Sequence, residues 1–480
     1  MFQSPVILER NIKNSALKMV EFDVAIIGSG IGGLVCACYL LKAGLKTVII
    51  ERNPEVGGYC TSFYRDGYFF EGGPHLLGGI EKGVLGQLLT EIGVKNKINF
   101  VQFDPSDKLL LPYGRVLFIR KEVNGTLKEF EKCFPKEKKN IQLFFSYITQ
   151  KNFLDLYSRF KKKTFYDLVN SFFTGEEIKQ LLNILLFGVL GVSIEKIPAW
   201  IGIAVFKEFF LDPGYYPQGG MKEIPKTLAE NIKREGGEIL LKNEVKKIFT
   251  KTGSVRGLLL LDGRKIKVNT IVANIDPFQL STLIKKRKED WLGERIFTPS
   301  SSAVVLYLGG GYDLVKDLHD CRCIWNLGPK ENFYKSQIIF SPSLQNSIEQ
   351  NSLKHTLEVF SFHRWREDIN EKGLFSRLLK MTKRVMPGIE KNIVFRDMAI
   401  PKTFYRYTLN RNGAILGNSL TIPQDKERFK VKSDFVEGLF LTGAWYSYGG
   451  ISEAAITGKR TAMAILKELK LSHNFELTRL

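Results

Sequence analysis

The sequence predicts an α/β protein in which a parallel sheet is assembled from separated segments of the chain, with a mixed-sheet and helical domain inserted between them. Three observations predict this class. The first is an apolar strand, a glycine-rich turn, a helix and a second apolar strand near the start of the chain. The second is a strand, a glycine-rich turn and a helix near its end. The third is a long helical stretch, rich in Phe, Leu and Lys, between the two.

The first of these elements is the segment 23–51, DVAIIGSGIGGLVCACYLLKAGLKTVIIE. It starts with an apolar run typical of a strand buried on both faces, and a helix is predicted over 31–43. Gly28 turns the chain sharply, Gly30 lets a phosphate approach the backbone, and Gly33 lets the helix pack closely on the strand. The positive end of the helix would then face the pyrophosphate of a dinucleotide.

A second predicted strand, 46–50, ends at Glu51. This acid follows Gly28 by 23 residues, close to the roughly 20 residues expected for a carboxylate that binds ribose hydroxyls. A carboxylate at this position repels a 2′-phosphate, which favours FAD or NAD over NADP. The alternative, an ordinary βαβ unit with chance glycines, requires all of these features to coincide.

Net charge limits the classes of partner. The formal charge is +20, and basic residues cluster at 136–139, 161–163 and 285–288. No zinc-finger spacing, RNP motif or basic heptad array accompanies them, which argues against nucleic acid. An anionic membrane surface and a generally lysine-rich proteome remain open as explanations. The sequence does not indicate an oligomeric state.

Cysteines and apolar runs indicate the compartment. None of the six cysteines has the spacing of a zinc site, so we expect buried thiols in a reducing cytoplasm and no metal. Residues 1–20 are predicted to be a polar extension without a signal-peptide core. The longest uncharged candidate for a spanning helix, 181–194, has 14 residues, whereas such a helix needs about 20. A core helix is the favoured interpretation, and a helix dipping into the cytoplasmic face of a membrane is the alternative.

The order of elements predicts two domains. Segments 1–80, 215–300 and 425–480 are assigned to a Rossmann-type dinucleotide-binding domain, and segments 81–214 and 301–424 to a substrate or cap domain. Within them, the patterns predict a loop at 215–221, a helix at 222–234 and strands at 238–250, 264–273, 303–308 and 357–362.

Four motifs together resemble the phytoene desaturase/carotenoid isomerase/retinol saturase group of flavoproteins. They are the first glycine-rich segment, ERNPEVGG at 51–58, the stretch from YYPQGGM to EVKKI at 215–248, and GLFLTGAWYSYGGISEAAITGKRTA at 438–462. The resemblance covers almost the whole chain after the N-terminal extension. It implies that the cofactor is FAD.

The resemblance also assigns cofactor contacts residue by residue. The residues that it places at the pyrophosphate are Gly28, Ser29, Gly30, Ile31 and Gly33. It places Glu51 at the adenosine ribose with Arg52 beside it, and the backbone of Val245 at the adenine. Gly57 and Gly58 are assigned to the flavin side, and Gly443, Gly450 and Ile451 to the phosphate–ribityl end and the flavin ring. Two positions depart from the group. Tyr59 replaces an Arg common after the paired glycines, and Ala444 replaces an Asp common after Gly443.

The implied activity is that of an FAD-dependent oxidoreductase acting on a long apolar polyene or isoprenoid. Desaturation, saturation and cis–trans isomerisation, by hydride transfer at flavin N5, are all compatible with it. No catalytic residue is identified. His75 could approach the flavin or be a loop histidine bonded to backbone, and Tyr446 and Tyr448 could contact the ring or substrate or pack in the core.

Two other function classes stay open. One is a flavin amine oxidase or porphyrinogen oxidase on a similar scaffold, although the lysine and aromatic cage common in amine oxidases cannot be placed in the sequence. The other is a non-catalytic flavin- or lipid-binding protein, which would bind flavin without turnover.

Overall fold

The computed structural model describes residues 22–111, 114–150, 158–160, 162–285, 287, 297–318, 321–326, 336–346, 353–366, 368–419 and 430–471. The predicted N-terminal extension and parts of two basic runs lie outside these residues. The predicted α/β class is confirmed, because a parallel sheet, a mixed sheet and helices make up the described chain.

The α-helices of the described residues are numbered in chain order. They are α1 (Ile31–Lys42), α2 (Val84–Ile92), α3 (Val123–Cys133), α4 (Lys138–Gln150), α5 (Phe165–Phe172), α6 (Glu176–Leu190), α7 (Ala199–Phe206), α8 (Glu223–Arg234), α9 (Pro277–Ile284), α10 (Pro342–Gln345), α11 (Glu371–Val385), α12 (Pro401–Thr408) and α13 (Gly450–Glu468). A π-helical turn, Lys207–Leu211, continues α7.

The strands are short except in the mixed sheet. They are β1 (Val24–Ile27), β2 (Thr47–Ile50), β3 (Ser62–Arg65), β4 (Tyr68–Glu71), β5 (Phe100–Gln102), β6 (Asp107–Leu110), β7 (Val116–Ile119), β8 (Tyr215–Pro217), β9 (Glu238–Leu240), β10 (Val245–Lys251), β11 (Ser254–Leu260), β12 (Lys265–Ile266), β13 (Thr270–Ala273), β14 (Ser302–Gly310), β15 (Cys323–Asn326), β16 (Gln337–Phe340), β17 (His355–His363), β18 (Phe395–Ala399) and β19 (Leu439–Leu441).

The parallel sheet has the order β19-β13-β1-β2-β9, so the chain returns to it from three distant segments. Its strands are buried on both faces. In β1, Val24 and Ile26 pack towards α1, α8 and α13, whereas Ala25 and Ile27 pack towards α9 and the β10-β11-β12 sheet. This alternation explains the continuous apolar run in the sequence.

The mixed sheet has the order β18-β14-β17-β16-β15-β6-β7, in which only the β15–β6 pair is parallel. The strands predicted at 303–308 and 357–362 are β14 and β17, which lie next to each other in this order. One face packs on α11 through residues such as Leu306 and Val359. The other face carries Val305 and Phe360 towards the cavity described below. Successive side chains point to opposite faces of a strand, so this pair of strands forms a wall with one side facing the core and the other facing the cavity.

Three predicted element limits were wrong in detail. The segment 238–250 divides into β9 and β10 because Lys242 has a left-handed backbone, with φ of 57°, which cannot continue a strand. The segment 264–273 divides into β12 and β13, which belong to different sheets. Residues 215–217 of the predicted loop form β8, paired with β5, and the helical stretch also contains β5, β6 and β7.

The apolar runs form core helices. Helices α5, α6 and α7 pack on α4 and on the mixed sheet in one large cluster, with residues such as Leu185 and Ile203 fully buried. None of the helices in the described part of the chain is long and apolar enough to cross a bilayer. All six cysteines are buried free thiols.

Candidate active site

A cavity of about 430 Å³ runs from the carboxyl ends of the parallel strands to the inner face of the mixed sheet. Ile27 and Ile50, the last residues of β1 and β2, line one end of it, and Val305 and Phe360 line the other. Ligands of open α/β sheets bind beyond the carboxyl ends of the strands. The first part of the cavity, here called the cleft, is therefore the dinucleotide region, and the second, here called the chamber, faces the mixed sheet.

The structure brings most of the sequence-predicted cofactor residues to the cleft. Those on its wall are Gly28, Gly30, Ile31, Glu51, Arg52, Gly57, Gly58, Val245, Gly443, Gly450 and Ile451. Tyr59 and Ala444, the two departures from the group, also lie there. The Tyr59 hydroxyl is held by the Thr408 hydroxyl at 3.2 Å and donates to the Ala414 carbonyl at 3.1 Å.

Ser29 and Gly33 lie behind the wall. The backbone N–H and hydroxyl of Ser29 donate to one oxygen of Glu51 at 2.9 and 2.7 Å, and the N–H of Asn53 donates to the other at 2.8 Å. Glu51 is thus fixed at the end of β2. A Cβ on Gly33 would lie 2.4 Å from the Gly28 carbonyl oxygen, so glycine is required there for close packing of α1 on the turn.

Asn274 is a site residue that the sequence reasoning missed. Its side-chain amide donates to the carbonyl oxygens of Gly28 and Gly30 at 3.1 and 3.2 Å. It also lies against the glycine-rich turn near the end of the chain, since a Cβ on Gly443 would be 2.1 Å from its Oδ1. Asn274 therefore ties the two glycine-rich turns together. The available signal was its position directly after β13, because carboxyl ends of parallel strands meet at one sheet edge.

Unpartnered polar atoms in the cleft test whether FAD fits this chain. Arg52 Nη1, Gln279 Oε1 and Thr442 Oγ1 are buried and have no hydrogen-bond partner among the residues that the structure describes, and all three residues line the cleft. Buried donors and acceptors of this kind are normally paired. A dinucleotide offers both phosphate oxygens and base or ribose donors, so these atoms and the side-chain-free surface of Gly30 and Gly58 fit such a cofactor.

The chamber is apolar and aromatic. One wall comes from α7 and the turn after it, and the facing wall comes from the mixed sheet. The residues of the two walls are Trp200, Ile201, Val205, Phe209, Phe210, Val305, Trp325, Ile338, Phe340, Phe360 and Phe362. A cavity with these walls excludes water and suits a long apolar ligand.

Of the three aromatic candidates from the sequence, two line the cavity and one lies in the core. His75 lines the cavity and stacks on Phe340, with ring centroids 4.2 Å apart, and burial lowers its pKa to about 4, so the ring is neutral. Tyr448 also lines the cavity, against Trp200. Tyr446 instead packs in the core beneath the parallel sheet.

Carboxyl groups also lie on the cavity wall, among them Glu71, Asp107, Glu208 and Glu358. Burial raises the pKa of each of these four, to about 7 for Glu71 and for Glu208. Asp107 accepts from Trp325 Nε1 at 2.7 Å, and Glu208 accepts from the Ser452 hydroxyl at the first turn of α13. Glu71 and Glu358 adjoin each other.

We expect the FAD-saturated protein to lose stability as the pH rises from about 4.5 to about 7. Glu71 and Glu208 have a pKa of about 7 in the folded chain and an ordinary pKa of 4.5 in the unfolded chain. Between these two pH values the folded chain therefore retains protons that the unfolded chain has released. The free energy of unfolding therefore falls with pH, by on the order of 3 kcal/mol per group. Urea unfolding at about pH 5 and about pH 7.5 measures the change.

The variant Glu208→Gln provides the control for this pH dependence. Its amide does not titrate, so the difference in unfolding free energy between the two pH values should shrink relative to that of the wild type. An equal difference in both proteins would show that Glu208 does not retain its proton in the folded state.

Comparison with known proteins agrees with this geometry. The model of the family described as flavin containing amine oxidoreductase matches residues 31–466. Prolycopene isomerase of Daucus carota is 25% identical over 501 residues, covering 94% of this chain and 81% of the carrot protein. All-trans-retinol 13,14-reductase of Danio rerio is 21% identical, covering 96% of this chain and 90% of that protein. The crystal structure of an oxidoreductase from Methanosarcina mazei shares the fold, with a TM-score of 0.68 and 17% identity over 93% of this chain and 100% of that chain.

The relatives confirm the group that the motifs indicated, and the family model spans nearly all elements of the parallel and mixed sheets. The cleft provides the cradle that the cofactor of this family requires. The protein therefore belongs to the flavin-containing amine oxidoreductase family and is an FAD-dependent oxidoreductase.

Proposed function

We propose that the protein moves a hydride between FAD and a long apolar polyene or isoprenoid, in a desaturation, a saturation or a cis–trans isomerisation. The observation that carries the proposal is the continuity of the cleft with the aromatic chamber. A substrate in the chamber would reach the cofactor without crossing water. The relatives named as a prolycopene isomerase and a retinol reductase act on molecules of this kind.

We propose the following cofactor contacts. Gly28, Gly30 and Ile31 would adjoin the pyrophosphate, Glu51 and Arg52 the adenosine ribose, and Val245 the adenine. Gly57, Gly58, Gly443, Gly450 and Ile451 would adjoin the ribityl chain and flavin ring. Ser29 would act through Glu51, whose carboxylate it orients, and Gly33 through the packing of α1.

The flavin supplies a site that accepts or returns a hydride at N5. The chain supplies orientation and exclusion of water. Trp200 and Phe340 line the chamber on its two walls, and the neutral ring of His75 stacked on Phe340 adds no charge to it. Such a site orients an apolar chain by shape, so the position of the reacting carbon depends on how far the substrate can enter.

An amine oxidase is the weaker alternative. No lysine lies on the cavity wall formed by the described residues. The carboxyl groups there have raised pKa values and would hold an ammonium group poorly when protonated. A non-catalytic flavin- or lipid-binding protein would differ from an enzyme only in the absence of turnover.

Expression in a bacterial host that makes phytoene or poly-cis carotenes, followed by pigment chromatography, tests the proposal. We expect altered pigments and, in the purified protein, flavin absorbance near about 450 nm. Val205→Trp, which fills the chamber from α7, should retain the flavin spectrum and lower conversion at least about tenfold, because the substrate is excluded.

Val394→Trp is the matched control, since Val394 is 78% exposed and is not among the residues that line the cavity. It should convert pigments as the wild type does. Unchanged pigments together with flavin reduction by amines would favour the amine oxidase, and flavin absorbance without reduction by either class would favour the binding protein.

We also propose that the protein works at the cytoplasmic face of an anionic membrane, where apolar substrates reside. The net charge of +20 supports this location, and basic residues near a lipid surface contribute about 1 kcal/mol each. Exposed Leu143 on α4 follows the basic run 136–139. Sedimentation with phosphatidylserine vesicles, but not with neutral ones, is the expected result, and equal recovery with both would contradict it.

A further inference from the structure

One polar pair interrupts the apolar face of the mixed sheet that lines the chamber. On β14 and β17 the cavity-facing residues form three cross-strand pairs, Ala303 with Phe362, Val305 with Phe360, and Tyr307 with Glu358. The first two pairs are apolar, and the third brings a phenol and a carboxyl group side by side. The wall thus changes from apolar to polar along its length.

The polar pair is deeply buried and incompletely bonded. Glu358 is 1% exposed and Tyr307 is 6% exposed. One Glu358 oxygen accepts from the backbone N–H of Glu71 at 2.7 Å. Among the described residues, neither the second Glu358 oxygen nor the Tyr307 hydroxyl has a hydrogen-bond partner, and both residues lie on the cavity wall.

The surroundings fix this pair in place. The Tyr307 ring is held edge-on by Phe63 and Phe70, with centroids 5.4 and 5.2 Å away. Glu71, whose backbone N–H bonds to Glu358, has its own oxygens occupied by the Ser62 and Tyr216 hydroxyls and the Met221 N–H. It therefore does not compete for the ligand-facing atoms of the pair.

A buried polar group without a partner is costly unless a ligand completes its bonding. A hydroxyl group both donates and accepts, so it can donate to the free Glu358 oxygen and accept from the Tyr307 hydroxyl. A hydrocarbon chain would leave the carboxyl and the phenol without this hydrogen-bond partner. We infer that Glu358 and Tyr307 form a subsite for a hydroxyl group of the substrate, which makes the substrate an isoprenoid or polyene alcohol.

This inference rests on the proposed function and narrows its substrate class. Burial raises the pKa of the Glu358 carboxyl well above its ordinary range, which favours the protonated form that can donate as well as accept. The protonated form of Glu358 also attracts an ammonium group more weakly than the carboxylate does. The alcohol would lie with its apolar chain along Val305 and Phe360 and its hydroxyl at the polar pair.

Two ligands that differ only in the hydroxyl group test the inference on the FAD-loaded protein. All-trans-retinol has a hydroxyl where its deoxy analogue, axerophtene, has a hydrogen. Binding can be followed by quenching of tryptophan fluorescence, because Trp200 and Trp325 line the chamber. We expect the alcohol to bind about tenfold more tightly, since the hydrocarbon leaves the buried pair unbonded.

Three variants test whether the preference for the alcohol over the hydrocarbon depends on Glu358 and Tyr307. Glu358→Leu should abolish it without weakening axerophtene binding, Tyr307→Phe should reduce it roughly threefold, and Glu358→Gln, which keeps polar atoms, should retain part of it. Tyr405→Phe, which removes a hydroxyl from an exposed tyrosine, is the matched control and should bind as the wild type does. Should Glu358→Leu fail to fold, the other two substitutions carry the test.

The outcomes separate this inference from the proposed function. Equal binding of the two ligands by the wild type overturns the hydroxyl subsite and leaves a polyene enzyme intact. A preference that survives both Glu358→Leu and Tyr307→Phe also overturns the subsite. Binding of neither ligand contradicts the polyene site itself, and tighter binding of retinylamine than of retinol replaces the hydroxyl subsite with an ammonium site.

Discussion

Gly443→Ala should yield a protein with less than about a tenth of the wild-type flavin content. Gly443 has φ of 91°, and an added Cβ would lie 2.1 Å from Asn274 Oδ1. Asn274 would have to move, and its amide would then release the carbonyl oxygens of Gly28 and Gly30. Because both glycine-rich turns shape the cleft, one methyl group would disturb both ends of the cofactor site.

Gly236→Ala is the matched control for this substitution. Gly236 has a similar φ of 83°, and an added Cβ would meet no atom within 4 Å. It should lose about 1–2 kcal/mol from the left-handed backbone and retain full flavin content. The ratio of flavin to protein absorbance and the melting temperature with added FAD measure both effects. Equal flavin contents in the two variants would show that Asn274 does not hold the turns in place.

Glu71→Leu should destabilise the protein by at least about 3 kcal/mol. Glu71 is fully buried and accepts hydrogen bonds from the Ser62 hydroxyl at 2.6 Å, the Tyr216 hydroxyl at 2.5 Å and the Met221 N–H at 3.2 Å. It therefore connects the β3-β4 hairpin to the segment that leads into α8. Leucine would remove the acceptor to which all three of these groups donate.

Two milder substitutions calibrate this loss. Glu71→Gln retains one acceptor and should cost less than Glu71→Leu, and Tyr216→Phe removes one donor and should cost about 1 kcal/mol. Tyr64→Phe, at a tyrosine that is 55% exposed, should have little effect. Chemical unfolding of the FAD-saturated proteins gives the free energies. A loss below about 1 kcal/mol in Glu71→Leu would mean that water or rearranged backbone replaces the carboxylate.

The sequence by itself determined the parallel sheet around β1 and the dinucleotide cleft. These features depend on residues that are neighbours in the chain, because glycines set a turn locally and an apolar run sets a doubly buried strand. The wrong strand limits arose where this reasoning lacked local signals. Nothing in 238–250 marks the left-handed backbone of Lys242, and nothing in 215–217 reveals its pairing with β5.

The tertiary structure alone decided which polar groups enter the chamber. Glu358 meets the backbone of Glu71 although 287 residues separate them, and Tyr307 faces Glu358 because of the register of β14 and β17. Asn274 reaches the first glycine-rich turn because β13 lies beside β1. Strand order and register arise from packing of the whole chain, so local patterns identify the cofactor site but not the chamber that selects the substrate.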